Sequence, residues 1–282
     1  NTNFYGTVTI GSLSGTVTVE EGFSRHSAIS NATLKDVTIG DDCFIENVHG
    51  YIANYTIGSQ CYIANVGIIT TQGPTRFGNG TIISILNEGG DGNLVIHDRL
   101  TSQSAWLMMH YDSVRRLITS QIESQPKSAR GEIGQGCRIV GAKNITNTRI
   151  LPYCEIEGTT HLSNVTLLSS EDSPTLVGPD TIVENTVVAC GATVTDGAKV
   201  DNCFVGEAVH IGKGFSAEAS AFFANSYMDN GEACAALCGP FSCSHHKSTL
   251  LIGGQFSFYN AGSGTNQSNH AYKMGPIHYG TL

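Results

Sequence analysis

The chain has 282 residues, a formal net charge of −9 and only 14 % charged residues, against an ordinary share of about 25 %. A hydrophobic content of 40 % excludes a disordered polymer. The acidic balance, with only short basic spots at Arg115-Arg116 and Lys127 to Arg130, argues against a nucleic-acid partner, and no apolar run is long enough to span a bilayer.

Self-similarity at a fixed step is the strongest signal in the chain. It is faint at first: Val17, Phe23 and Ile29 keep a six-residue step, but their neighbours do not repeat. From Ile39 it becomes regular: Ile39, Ile45, Tyr51, Ile57, Ile63 and Ile69 are all apolar or aromatic. A period of six fits neither an amphipathic helix nor a coiled coil. Two residues before these anchors stand Val37, Cys43, His49, Tyr55, Cys61 and Gly67. Residues two apart share one face of a strand, so both members of each pair point inward. Gly, Asp, Ser and Gln follow the anchors, as in Ile39-Gly-Asp-Asp and Ile57-Gly-Ser-Gln; such corners want residues that tolerate left-handed backbone or tight turns. Short strand, bend, short strand predicts an all-β solenoid, a parallel β-helix whose stacked coils bury a continuous core.

The next stretch leaves the pattern. Residues 98–125 contain no Gly or Pro, and Leu100, Leu107, Val114, Ile118 and Ile122 fall on one stripe at helical spacing. Pro126 ends it. One inserted amphipathic α-helix is expected here, packed on the outside of the solenoid or on a neighbouring subunit, with the single Trp, Trp106, in a packing role. The six-residue step resumes at Ile133, Ile139, Ile145 and Leu151, and slips by one to Ile150, Ile156, Leu162 and Leu168. A third run reads Leu176, Ile182, Val188, Val194 and Val200. The chain thus divides into an N-terminal β-helical portion, 1–97, a helical insert, 98–130, and a main β-helix with site-bearing C-terminal loops, 131–282.

Over residues 225–282 the anchors fade, and four of the ten His gather there: His245, His246, His270 and His278. They stand among amides, hydroxyls and Gly, in text of the kind that forms functional loops. His titrates near neutral pH and suits general-base work, which makes His245, His246 and His270 the candidate catalytic residues. Asn260, Asn266, Asn269, Lys247 and His278 are the candidate substrate-binding residues. His26, His49, His97, His110, His161 and His210 are read as wall, loop or insert residues. Nine Cys, several at apolar repeat positions, are expected to be reduced thiols acting as small hydrophobes in a cytoplasmic protein; no signal peptide is visible. The thiols and imidazoles of the tail offer zinc-type ligands, but their spacing matches no standard signature, and no metal is expected. No phosphate-binding Gly-rich loop or nucleophile elbow stands out.

The hexads resemble those of the hexapeptide-repeat superfamily, whose fold is a triangular, left-handed parallel β-helix. The likeness covers residues 29–70 and 131–212. The tail segments Gly-Glu-Ala-Cys, His-His-Lys-Ser-Thr-Leu-Leu-Ile, Asn-Ala-Gly-Ser-Gly, Asn-Gln-Ser-Asn-His and Gly-Pro-Ile-His resemble a longer, uncharacterised bacterial family of such proteins. The superfamily resemblance implies acyl transfer from acetyl-CoA, another acyl-CoA or a carrier thioester to a hydroxyl or amine of a sugar-like small molecule. It also implies a homo-oligomer with clefts between solenoids. Two other readings come with it: a non-catalytic solenoid that is a scaffold or a regulatory part of a sugar-nucleotide enzyme, and a metal-dependent enzyme of the γ-carbonic-anhydrase kind.

Overall fold

A computed structural model of the chain describes residues 1–87, 93–255 and 258–267, and the backbone of Ile277–Tyr279. The molecule is a parallel β-solenoid. Ile39 pairs with Ile57, Ile57 with Ile133 and Ile133 with Ile150 in a 19-stranded sheet. In a 12-stranded sheet Ile45 pairs with Ile63, Ile63 with Ile139 and Ile139 with Ile156. All eight are at most 2 % exposed and belong to one core, so the anchors stack in columns inside the coil.

The larger sheet supplies two walls of each coil, because its strands bend. In Ala32–Ile39 both Leu34 and Ile39 are buried. Residues five apart face opposite sides of a straight strand. Asp36, at φ 52° between them, turns the chain and brings both inside. Asn54, at φ 57°, does the same between Ile52 and Ile57. Asn and Asp are the non-glycine residues that adopt this left-handed backbone most readily. Corner amides also bond from coil to coil: Asn31 Nδ2 donates to Asn47 Oδ1 at 2.9 Å, and Asn47 Nδ2 to Asn65 Oδ1 at 3.1 Å.

The coil length departs from three strict hexads. Ile45 and Ile63 are 18 residues apart, but Val177, Val194 and Ile211 follow one another at 17. The buried anchors step by six, five and six: Val194, Val200, Val205, Ile211. On the five-residue side from Val200 to Val205, Asn202 at φ 51° turns the corner. This corrects several expected anchors. Tyr51 is 36 % exposed and Ile52 takes its place in the core. Ile150 and Leu167 are buried, with Leu151 and Leu168 half-buried. Val177 and Val183 fill the core in place of Leu176 and Ile182.

The solenoid also continues where the sequence pattern fades. Met228, Ala233, Cys238, Ser244, Leu250, Gln255 and Ala261 carry the inward positions on through the tail. Small or polar residues at these sites erase the hydrophobic signal without changing the backbone. The polar ones are satisfied inside: Gln255 Nε2 donates to Gln267 Oε1 at 2.9 Å, and the Tyr259 hydroxyl donates to the same atom at 3.0 Å. Near the other end the expected thiol column forms. Cys43, Cys61, Cys137 and Cys154 lie on successive coils, and each thiol donates to a backbone carbonyl 3.1–3.3 Å away. All nine Cys are free thiols. At the N-terminus Val17 is buried in the hairpin Thr16–Glu20/Phe23–His26, while Phe23 is exposed.

The chain leaves the solenoid after the strand Ile68–Thr70 and rejoins it at Gly131. The excursion holds a short antiparallel pair, Ile82–Ile83 with Leu94–Val95, and two helices where one was expected, α1 (Ser102–His110) and α2 (Asp112–Glu123). Tyr111, extended at φ −129° and ψ 101°, separates them. Thr101 and Ser104 cap α1 reciprocally. The stripe is split as well: Leu100 is buried and Val114, Ile118 and Ile122 are half-buried, but Leu107 faces solvent. The excursion builds a second core against the outside of one wall, where Val187, Phe204, Ala221 and Leu237 meet Ile83, Leu94, Leu100, Ala105 and Met108. No helix among the described residues is long and apolar enough to cross a membrane.

Tyr55 ties the two solenoid stretches together. Its ring is fully buried, its hydroxyl donates to Thr148 O at 2.8 Å, and Thr148 N donates to it at 3.2 Å. Burial pushes its phenol up to about 12. The register makes a paired prediction for denaturant unfolding. Ile63→Ala should cost about 2–5 kcal/mol, as buried Ile truncations do. Tyr51→Ala, on the outer surface, should stay within about 0.5 kcal/mol. Equal losses would refute the placement of Ile52 as the core anchor.

Candidate functional site

Coils of 17 residues bring equivalent positions into vertical columns. At one corner Lys213, Asn230, Lys247 and Gly264 stack in this way, with Lys213, Asn230 and Gly264 at φ 47°, 58° and 74°. Just past the corner, Ser216, Glu232, Thr249 and Asn266 pair in register along neighbouring strands. Together with Gly214, Gly231, Ser248 and Thr265 they line an open groove of about 590 Å³. Its lining is made of hydroxyls, amides, two ammoniums, one carboxylate and glycine backbone. Thr249 Oγ1 donates to Glu232 Oε1 at 3.0 Å. Glycine at 231 is required: a Cβ there would stand 2.5 Å from Ser248 O on the next coil.

The wall on the other side of this corner carries a second group. His210, Tyr227, Cys243 and Asn260 are register partners on successive strands. The His210 and Tyr227 rings stack with centroids 4.2 Å apart, and Tyr227 meets His245 at 4.6 Å. Beside them lies Asp229, whose side chain is 0 % exposed. Lys213 Nζ reaches around the corner and donates to Asp229 Oδ2 at 2.7 Å, and that contact raises the Lys213 ammonium above its ordinary value. His210 Nε2 stands 3.3 Å from Asp229 Oδ1. Burial, and then the Asp229 carboxylate, push the Cys243 thiol up.

The structure brings together part of the set expected from sequence. Lys247 and Asn266 line the groove. His245 and His246 are both exposed in the bend between Ser242–Ser244 and Thr249–Leu251. His245 joins the aromatic stack, and its carbonyl accepts a hydrogen bond from Asn230 Nδ2 at 3.0 Å. His246 is absent from the groove lining. Asn260 is half-buried on the wall. His278 pairs with Asn260 through the backbone of an antiparallel strand, its side chain outside the described residues. Asn269 and His270 also lie outside the described residues. Sequence reading missed His210, Lys213, Tyr227 and Asp229. The signal that finds them is the 17-residue step from His210 to Tyr227 and from Lys213 to Asn230 and Lys247. Among the described residues no group of three or more His, Cys, Asp and Glu is placed to hold a metal ion.

Comparison with known proteins places the chain. The model of the family described as domain of unknown function (DUF4954) matches residues 1–282 of the chain. The chain belongs to the DUF4954 family. It is also similar to an "uncharacterized protein" of Treponema pallidum (strain Nichols), 27 % identical over 218 residues. That match covers 69 % of this chain and 29 % of the relative, so the DUF4954 chain spans under a third of the length of the relative it matches.

The position of Asp229 under the wall of this DUF4954 chain can be checked through its neighbour. Thiolate is the species that alkylates, and a nearby negative charge disfavours it. Asp229→Asn should therefore speed alkylation of Cys243 by iodoacetamide at pH 8 several-fold, read by mass spectrometry of its peptide. Fully buried Cys238, pushed up to about 12 by burial alone, should remain unreactive in both proteins. An unchanged Cys243 rate would contradict the assigned wall.

Proposed function

We propose that the chain is an acyltransferase-like protein that holds a sugar-like acceptor in the corner groove and moves an acyl group to it from acetyl-CoA, another acyl-CoA or a carrier thioester. The observation that carries this reading is the groove lining. Side chains that donate and accept hydrogen bonds converge from four coils at one corner, with no apolar side chain among them. Such a surface suits a molecule rich in hydroxyls, because each buried polar group must find a partner. Lys247 and Asn266 are the binding residues on this reading, with Asn260 on the adjoining wall; Asn269 and the His278 side chain lie outside the described residues.

The chemistry asked of the protein is limited. The acceptor oxygen or nitrogen attacks the thioester carbonyl, the C–S bond breaks, and the acceptor's proton must pass to a base and on to the leaving thiolate. A histidine suits that task near neutral pH. Of the described candidates, His245 and His246, His245 is the one whose ring joins the wall beside the groove. By the likeness to the superfamily, the working form is a homo-oligomer with a cleft between solenoids; the free thiols suit a cytoplasmic setting.

A thermal-shift screen tests the reading, since a ligand of the folded state stabilises it by about 2.7 kcal/mol at one hundred times its dissociation constant. Acetyl-CoA or a sugar nucleotide at millimolar concentration is expected to raise Tm. Lys247→Ala combined with Asn266→Ala is expected to reduce that rise for the sugar nucleotide without lowering the unliganded Tm. No response to any donor or sugar nucleotide would overturn the proposal and leave the non-catalytic solenoid as the better reading. Metal retained through purification would favour a metal-dependent enzyme.

A further inference from the structure

Asp229 is an unusual group for an outer wall. Its carboxylate is fully shielded, and removing a charge from water costs several kcal/mol unless it is paired and hydrogen-bonded. Lys213 satisfies Oδ2. Oδ1 makes no hydrogen bond of standard geometry, although His210 Nε2 is 3.3 Å away. A residue that only pinned one coil to the next would not need the imidazole, yet the fold makes room for it. Position 212 is glycine, and a Cβ there would lie 2.6 Å from His210 Nε2 and 3.0 Å from Asp229 Oδ1. Tyr227, stacked on the imidazole at 19°, fixes the plane of the ring. A quarter of the His210 side chain stays exposed.

We infer that His210 is the proton acceptor of this wall, that Asp229 is its positioning residue, and that Gly212 is the clearance that lets the two meet. The inference rests on the acyl-transfer reading for the source of the proton, and on geometry alone for the pair. A carboxylate oxygen facing Nε2 holds the ring proton there and leaves the Nδ1 lone pair as the basic site. In the reaction the acceptor's proton goes to Nδ1 as its heteroatom attacks the thioester carbon; the C–S bond then breaks and the proton leaves Nδ1 for the thiolate sulfur. Lys213 occupies the other carboxylate oxygen, Oδ2, and also lines the groove, which joins the two halves of the site. His245 is the competing base, but among the described residues no carboxylate orients it. The titratable groups facing His210 are Asp229, Lys213 and the Tyr227 phenol.

The test combines kinetics with ring nitrogen NMR on the whole chain. His210→Gln should lower kcat by about 100-fold or more with KM little changed, and should abolish the acid limb of the rate–pH profile. Asp229→Asn and Gly212→Ala should each lower kcat while the protein stays folded; the glycine variant leaves the Asp229–Lys213 pair in place if the asparagine variant does not fold. In the 15N spectrum at neutral pH, His210 should show one tautomer, protonated at Nε2, and a mixture in both of those variants. A locked tautomer without turnover on any donor would retain the pair and overturn the acyl-transfer reading. Turnover that survives His210→Gln, or a tautomer mixture in the unaltered chain, would overturn the inference.

Discussion

Backbone pairing between successive coils is the constraint from which the rest of the structure follows. Parallel hydrogen bonds fix which residue lies above which, and every coil must then present an inward side chain at each of three walls. Ile39 over Ile57 over Ile133 over Ile150 is one such column. Each aliphatic anchor contributes about 1.5–3 kcal/mol through burial, and a column shares no space with water along its length. The register tolerates a 76-residue step at Ile57 to Ile133 because the excursion between them departs and returns at the same corner and buries its own core outside the wall.

The same constraint builds the candidate site. A residue at a corner is repeated in space by whatever stands 16 or 17 positions later, so a polar corner becomes a polar stripe. Lys213, Asn230 and Lys247 form such a stripe, and His210 and Tyr227 form another on the adjoining wall. Lys213 is the hinge between them, with its ammonium on buried Asp229 and its stem in the groove. The candidate site is therefore local to four neighbouring coils, although its residues lie tens of positions apart in sequence. The opposite wall, closed by the antiparallel pair and α1, offers no comparable surface at Phe204 and Leu237.

How much of this is legible in sequence depends on what fills the columns. Ile39, Ile45, Ile57 and Ile63 announce their wall because the anchors are aliphatic and the spacing is close to regular. Tyr51 misleads because aromatic residues read as core, while the chain turns one residue late and buries Ile52. The tail is opaque for a different reason. Ala233, Cys238, Ser244 and Gln255 hold inward positions that hydrophobic periodicity cannot detect, and corners at Phe241 and Ile252, φ 63° and 53°, carry none of the usual turn residues. Lys247, Asn266 and His245 were legible by residue type. His210 and Asp229 were not, because a lone imidazole and a lone carboxylate acquire meaning only once the 17-residue step superposes them. The break at Tyr111 was hidden because an uninterrupted helical pattern does not report where packing on the wall bends the chain.

The claim that one coil is 17 residues between Val177 and Ile211 is open to a direct measurement by paired deletion. Removing residues 177–193 takes out one full coil and brings Val194 onto the position of Val177. Removing residues 177–194 takes out one residue more and turns every later side chain to the opposite face. Thermal unfolding followed by circular dichroism should show a cooperative β-rich transition for the first variant and none for the second. Equal behaviour of the two deletions, or survival of the longer one alone, would contradict the stacked columns on which the whole account stands.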